Sequence, residues 1–267
     1  MSLGKTVRLN RLFSHSSRRL CSVAVDHWFG YRASGGAAGL TDLPATLAKL
    51  VPGKPSAVTM SKGTAMGCWG PYAGQVPLIL QAGCFTPDDR VIEQSTTPEE
   101  CIRLGADAIA IAIGVRGPNE GKFIRMLCDG VTAAAHYDLP VVAHIYPRDF
   151  TGTEAKINFR PEEIEWAVRV GIECGADVIK VGYTGDVASF KHIVSACPVP
   201  IVAAGGPKAP TFNAALTAMG EAIQAGARGV TIGRNVWGEP DPAAALAAFK
   251  AVVLDGRATE QAMARKA

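Results

Sequence analysis

The sequence predicts a single α/β domain closed as a (β/α)8 barrel, and three observations carry that reading. Eight short apolar runs, helix signals between most of them and a repeated joint from helix to strand recur along the chain. The runs 21–26, 55–60, 77–82, 107–113, 140–146, 177–183, 199–204 and 228–233 are rich in Val, Ile and Ala and end in polar turns, as strands do. Between them, Thr97-Pro98-Glu99-Glu100 and Arg160-Pro161-Glu162-Glu163 mark helix starts, with Pro in the first turn and acids that complement the helix dipole. At Gly105-Ala106-Asp107, Gly175-Ala176-Asp177 and Gly226-Ala227-Arg228 a glycine able to turn left-handed ends a helix before the next strand opens. Alternation of this kind implies parallel strands with right-handed crossovers, and eight units suit a closed ring better than an open sheet. No G-x-G-x-x-G follows the first strand, so a dinucleotide-binding sheet lacks its main support. The stretches 61–75 and 147–160 read as long strand-to-helix loops of the kind that crown the working face of a barrel.

Composition narrows the function classes. The chain has 267 residues, 48% hydrophobic and 19% charged, the size of one barrel, and no composition break marks a second domain. A net charge of +3 with scattered Lys and Arg gives no basic stripe for nucleic acid. No apolar run approaches the roughly 20 residues of a membrane span, so no membrane partner is expected. Seven cysteines, odd in number and never in C-x-x-C spacing, argue against a disulfide framework and for a reducing, cytoplasmic setting. The first twenty residues are rich in Arg and Ser and free of acids, superficially like a transit peptide, but Arg8 to Phe13 leads into the first strand and reads as a folded entry segment, 1–20.

Side chains alternate across a strand, so parity sorts those that point into the barrel from those that face the helices. In the sixth run Val178, Lys180 and Gly182 share one side, opposite Ile179 and Val181; in the fifth, Val142, His144 and Tyr146 oppose Val141, Ala143 and Ile145. Ser22, Ala24 and Asp26 of the first run take the inner side by the same count. Lys180, Tyr146, His144 and Asp26 then converge near the mouth. Desolvation lowers a lysine's affinity for its proton, which favours the free amine that attacks a carbonyl. The resulting imine withdraws electrons so that a neighbouring carbon–carbon bond breaks or forms. Tyr146 and Asp26 are the natural proton carriers for that chemistry. Singly, each has a plainer reading: a lysine snorkelling at a strand end, a packed tyrosine, a capping aspartate, a hydrogen-bonded core histidine. Their convergence favours catalysis.

A second constellation follows the last two strands, in Gly205-Gly206-Pro207-Lys208 and Gly233-Arg234-Asn235. Glycines let backbone amides approach an anion, and barrels commonly bind phosphate with the loops after strands seven and eight. Gly205, Gly206, Gly233 and Arg234 are therefore candidate phosphate ligands, and Lys208 is either a further one or merely solvated. His27, His144 and Arg148 complete the candidate substrate-binding set. The five histidines show neither H-x-x-x-H nor H-E-x-x-H spacing, so no metal and no other cofactor is expected.

At these residues the sequence resembles the archaeal-type class I fructose-bisphosphate aldolases of the deoxyribose-phosphate aldolase superfamily. The likeness runs from Arg8-Leu9-Asn10-Arg11-Leu12-Phe13 and Val25-Asp26-His27, through Tyr146-Pro147-Arg148 and Asp177 to Asp186, to the two glycine loops. It implies a Schiff base at Lys180, an acid–base role for Tyr146, substrate orientation and proton handling by Asp26, and phosphate held by the Gly206 and Arg234 loops. It also implies a homo-oligomer, often a decamer of stacked rings. Trp28 stands where relatives commonly have Gly, and Phe29-Gly30-Tyr31-Arg32 departs from their short turn, a change expected to reshape the sugar end of the pocket. Similar barrels include a heptulosonate-type synthase and a thiolase that share the lysine. The expected activity is aldol cleavage of a phosphorylated ketose, with fructose 1,6-bisphosphate the first substrate to test. The alternatives are transfer or thiolysis on another phosphorylated keto compound, and a non-catalytic sugar-phosphate-binding barrel.

Overall fold

The computed structural model describes residues 1–27, 38–86, 89, 92–152 and 155–263. Trp28 and the 29–32 loop singled out above lie outside them. Eight parallel strands form the ring: β1 Leu20–Ala24, β2 Ala57–Ser61, β3 Leu78–Gln81, β4 Ala108–Val115, β5 Val141–Asp149, β6 Val178–Gly182, β7 Ile201–Ala204 and β8 Gly229–Ile232. Each pairs with its sequence neighbours, β8 returns to β1 and β4 joins β5, so no edge is left open. Every strand falls on one of the apolar runs, and the architecture is a (β/α)8 TIM barrel.

The helices form for the reasons visible in the sequence. Thr97 caps Pro98–Arg103 in a reciprocal box with Glu100, and Pro161–Glu173 opens on its proline with Glu162 and Glu163 in the first turn. Gly105, Gly175 and Gly226 close their helices at φ of 73°, 81° and 104°, where a side chain would be strained. Ile111, Ile113, Ile145, Ile179 and Val181 are fully buried on the outer face of the ring, in one cluster with Phe123, Leu127, Ile164, Phe190, Leu246 and Phe249 of the helices.

A smaller cluster fills the bottom of the ring: Leu20, Ala57, Ile79, Ala108, Ala110, Val142, Val178 and Val202. Beneath it the entry segment forms a helix, Leu3–Leu12, whose Leu12 and the following Phe13 plug the floor. Lys5 bonds Asp177 and Arg11 bonds Asp107, each at 3.1 Å, fixing the plug to the starts of β6 and β4.

Three features depart from the simple alternation. The stretch 61–75 holds a helix, Lys62–Cys68, and a 3-10 turn, Gly70–Tyr72. After β3 the chain makes an antiparallel hairpin, Gly83–Phe85 with Ile92–Gln94, starting where a Cβ on Gly83 would overlap the backbone of Ala112. Within 147–160, β5 runs on to Asp149, and Lys156–Ile157 folds back to pair with Arg148 and Asp149 as a strap beside the mouth. No described helix is long and apolar enough to cross a membrane.

Candidate active site

Parity operates as the pattern requires. Ile179 and Val181 pack outward, so Lys180 points inward from the middle of β6 and is only 6% exposed. His144 of β5 stands directly opposite it in the ladder, and Tyr146 follows on the same side. On β1 the inward Ser22 meets Thr231, its partner on the neighbouring β8, at 2.8 Å. Asp26 follows two residues beyond the end of that strand.

Gln81, the last residue of β3, joins these groups. Its Nε2 donates to Asp26 Oδ2 at 2.8 Å and lies 3.2 Å from His144 Nδ1, while its Oε1 accepts from the Gly83 backbone amide at 3.2 Å. His27 sits between Asp26, 3.6 Å from its carboxylate, and the edge of Trp237, whose indole nitrogen donates to the Ala24 carbonyl at 2.9 Å. Gly233 leaves room for that imidazole: a Cβ there would lie 2.8 Å from His27 Nε2.

Burial dominates the electrostatics. It lowers the His27 pKa to about 4, against the opposing pull of Asp26 and with help from Lys180 and Arg234. His144 falls well below the usual histidine range, chiefly through burial and then through Lys180 and His27. Burial, then the Asp26 charge, push the Tyr146 phenol above its usual range, with Arg234 opposing. Near neutral pH the site therefore offers two uncharged imidazoles and a protonated phenol.

The two glycine loops form the other wall of a single pocket. Lys180, Tyr146 and His27 line one side; Gly205, Gly206, Pro207, Gly233 and Arg234 line the other. Gly206 takes φ 67°, and the Arg234 guanidinium donates to its carbonyl at 3.1 Å. Asn235 holds the first loop in shape: its amide donates to the carbonyls of Gly205 at 2.8 Å and Pro207 at 3.0 Å, and its oxygen accepts from the Ala209 amide at 2.9 Å. A third, apolar wall comes from the strap, where Ile157 and Phe159 reach the pocket and Phe159 covers Gly182 so closely that a Cβ there would overlap its ring.

Two of the candidate ligands lie elsewhere. Lys208 turns away from the pocket to the Glu239 carboxylate and, at 3.2 Å, the Gly238 carbonyl. Arg148 is buried against Asp89 at 3.2 Å, its guanidinium over the Phe150 ring. Sequence reasoning also passed over Gln81, Asn235, Ile157 and Phe159. Gln81 was signalled by a polar residue closing the apolar run Leu78-Ile79-Leu80, on the inward parity of Ile79. Among the described residues, no three His, Cys, Asp or Glu side chains are grouped to hold a metal ion.

Residues 20–239 match the model of the DeoC/LacD family aldolases. The chain is 34% identical over 265 residues, 98% of its length and 96% of the relative's, to a 2-amino-3,7-dideoxy-D-threo-hept-6-ulosonate synthase of Halobacterium salinarum. It is 34% identical over 190 residues, 70% of its length and 71% of the relative's, to a class 1 fructose-bisphosphate aldolase of Thermoproteus tenax. A solved archaeal fructose-1,6-bisphosphate aldolase, its catalytic lysine covalently bound to the carbinolamine intermediate of the substrate, superposes with a TM-score of 0.79 at 28% identity, covering 94% of this chain and 99% of that one. With an inward lysine facing two glycine loops across one pocket, the chain belongs to the DeoC/LacD family of class I aldolases.

Proposed function

We propose that the chain is an aldehyde-lyase that cleaves a phosphorylated ketose through an imine on Lys180. The observation that carries this reading is the placement of the Lys180 amine, buried inside the ring, across a pocket from Gly205, Gly206, Gly233 and Arg234. A phosphate on those backbone amides would present the keto carbon of the same molecule to the amine.

The Lys180 lone pair adds to the carbonyl carbon, and the resulting hydroxyl leaves as water with a proton from the Tyr146 phenol. The iminium then draws the electrons of the bond between the α and β carbons. As Asp26 or the Tyr146 phenolate takes the proton of the β-hydroxyl, that bond breaks, an aldehyde leaves and an enamine remains on Lys180. Protonation of the enamine and hydrolysis of the imine return the amine. Support for fructose 1,6-bisphosphate as the ketose comes from the Thermoproteus relative and the archaeal structure.

A second reading keeps the imine but makes a carbon–carbon bond on another phosphorylated keto compound. It is favoured by the heptulosonate synthase relative, which aligns over nearly the full length of both chains.

Borohydride reduction with dihydroxyacetone phosphate tests the shared step. A covalent adduct on the peptide carrying Lys180, absent in Lys180→Met, is expected; an unlabelled Lys180 would overturn the imine and favour a barrel that only binds sugar phosphates. Cleavage assays over a panel of phosphorylated sugars then separate the two enzymatic readings.

A further inference from the structure

Gln81 occupies a position from which its amide orientation is dictated. The Gly83 backbone N–H can only donate, so the oxygen of the Gln81 amide faces it, at 3.2 Å. Both N–H bonds of Nε2 then point the other way, one to Asp26 Oδ2 at 2.8 Å and one to His144 Nδ1 at 3.2 Å. Turning the amide over would set its oxygen against the carboxylate and its N–H groups against the Gly83 N–H. The residue is buried, so water cannot repair either clash.

We propose that Gln81 is a positioning residue of the lysine-imine reaction, which fixes His144 as the tautomer protonated on Nε2 and fixes the orientation of the Asp26 carboxylate. The proposal rests on the reading of Lys180 as the imine-forming amine. A ring nitrogen that accepts a hydrogen bond carries no proton, so the neutral imidazole carries its proton on Nε2. Adding a proton at Nδ1 would oppose two N–H groups and place a cation beside Lys180 and His27, the charged or titratable groups acting on this ring. His144 thereby contributes a donor next to the developing iminium without contributing positive charge. Asp26, with one oxygen held by Gln81 and the other facing His27, cannot swing away from the substrate between the addition and cleavage steps.

The test starts on the unaltered protein. Heteronuclear NMR of the histidine ring nitrogens is expected to show His144 unprotonated at Nδ1 and protonated at Nε2 near neutral pH; the opposite tautomer, or a doubly protonated ring, overturns the proposal. Gln81→Glu keeps an acceptor for the Gly83 amide, removes the donor to His144 and replaces the donor to Asp26 with a proton shared between the two carboxyl groups. It is expected to move the His144 proton to Nδ1 and to lower kcat by about 100-fold, with KM for the phosphorylated substrate changed by less than roughly threefold. Gln81→Met, which offers neither donor nor acceptor, is expected to lower kcat without the tautomer exchange. Wild-type kcat in both variants, or a loss confined to KM, sinks the assignment of Gln81 alone. Absence of a borohydride adduct on Lys180 in the unaltered protein sinks instead the imine reading beneath it. If neither variant folds by thermal denaturation, the NMR result on the unaltered protein decides.

Discussion

Tyr146 and His27 show how burial prepares single side chains for opposite duties. The phenol is held protonated by its surroundings and lies on the Lys180 side of the pocket, so its contribution falls on proton transfer more than on binding. Tyr146→Phe is accordingly expected to lower kcat by about 100-fold or more while KM shifts by less than roughly threefold, as read by steady-state cleavage. His27 instead resists charge. The folded ring takes a proton only below about pH 4, whereas an unfolded histidine does so below the ordinary 6.5, so the unfolded chain binds more protons in that window. The contribution of this residue is full above the unfolded value and is lost as pH falls toward the folded one, by up to about 3 kcal/mol. Urea unfolding at near-neutral and mildly acidic pH should show it, and His27→Gln should lose less stability between the two conditions than the unaltered chain. At this scale the sequence was informative wherever parity could be applied: Lys180, His144 and Tyr146 are inward because Ile179, Val181, Ala143 and Ile145 are outward. Arg148 and Lys208 show the limit of parity, because Asp89 and Glu239 lie far from them in sequence and nothing local announces those pairings.

The two glycine loops and the strap depend on elements acting as units. Asn235 stands at the short helix Arg234–Trp237 yet spends its whole amide on the neighbouring loop, at Gly205, Pro207 and Ala209. Asn235→Ala frees that loop and is expected to raise KM for a phosphorylated substrate about tenfold, the equivalent of roughly 1.4 kcal/mol of uniform binding. The same change removes three hydrogen bonds from a partly exposed loop, at about 0.5–1.5 kcal/mol of stability each, which thermal denaturation would register. KM unchanged with the loop intact would remove Asn235 from the binding wall. The eight barrel strands were legible because each is a short apolar run between polar turns. The strap at Lys156–Ile157 was not, since a two-residue strand has no period to detect and forms only because β5 continues to Asp149 and offers a partner. The helix Lys62–Cys68 was read as loop because its glycines, Gly63 and Gly67, weaken a helical signal that the fold nevertheless accommodates.

The whole molecule is held by a double layer, apolar helices outside the ring and small aliphatics with the entry helix inside and beneath it. Leu12 is 1% exposed in the lower layer, so Leu12→Ala is expected to cost about 2–5 kcal/mol, measured as a lowered urea midpoint with the transition slope unchanged. A cost near zero would mean that the plug is dispensable to the floor. The closed ring was foreseeable from the count of units, whereas the plug was legible only as a folded lead-in, because which end of a barrel such a helix covers depends on contacts such as Lys5 with Asp177 that sequence order hides. A vessel stoppered at its base has consequences for traffic. A fragment bonded to the inner wall at Lys180 must wait while its untethered companion departs through the mouth, so the two products should emerge in a fixed sequence. Product inhibition reads that sequence directly: the keto product, last to go, should compete with substrate, and the aldehyde should not.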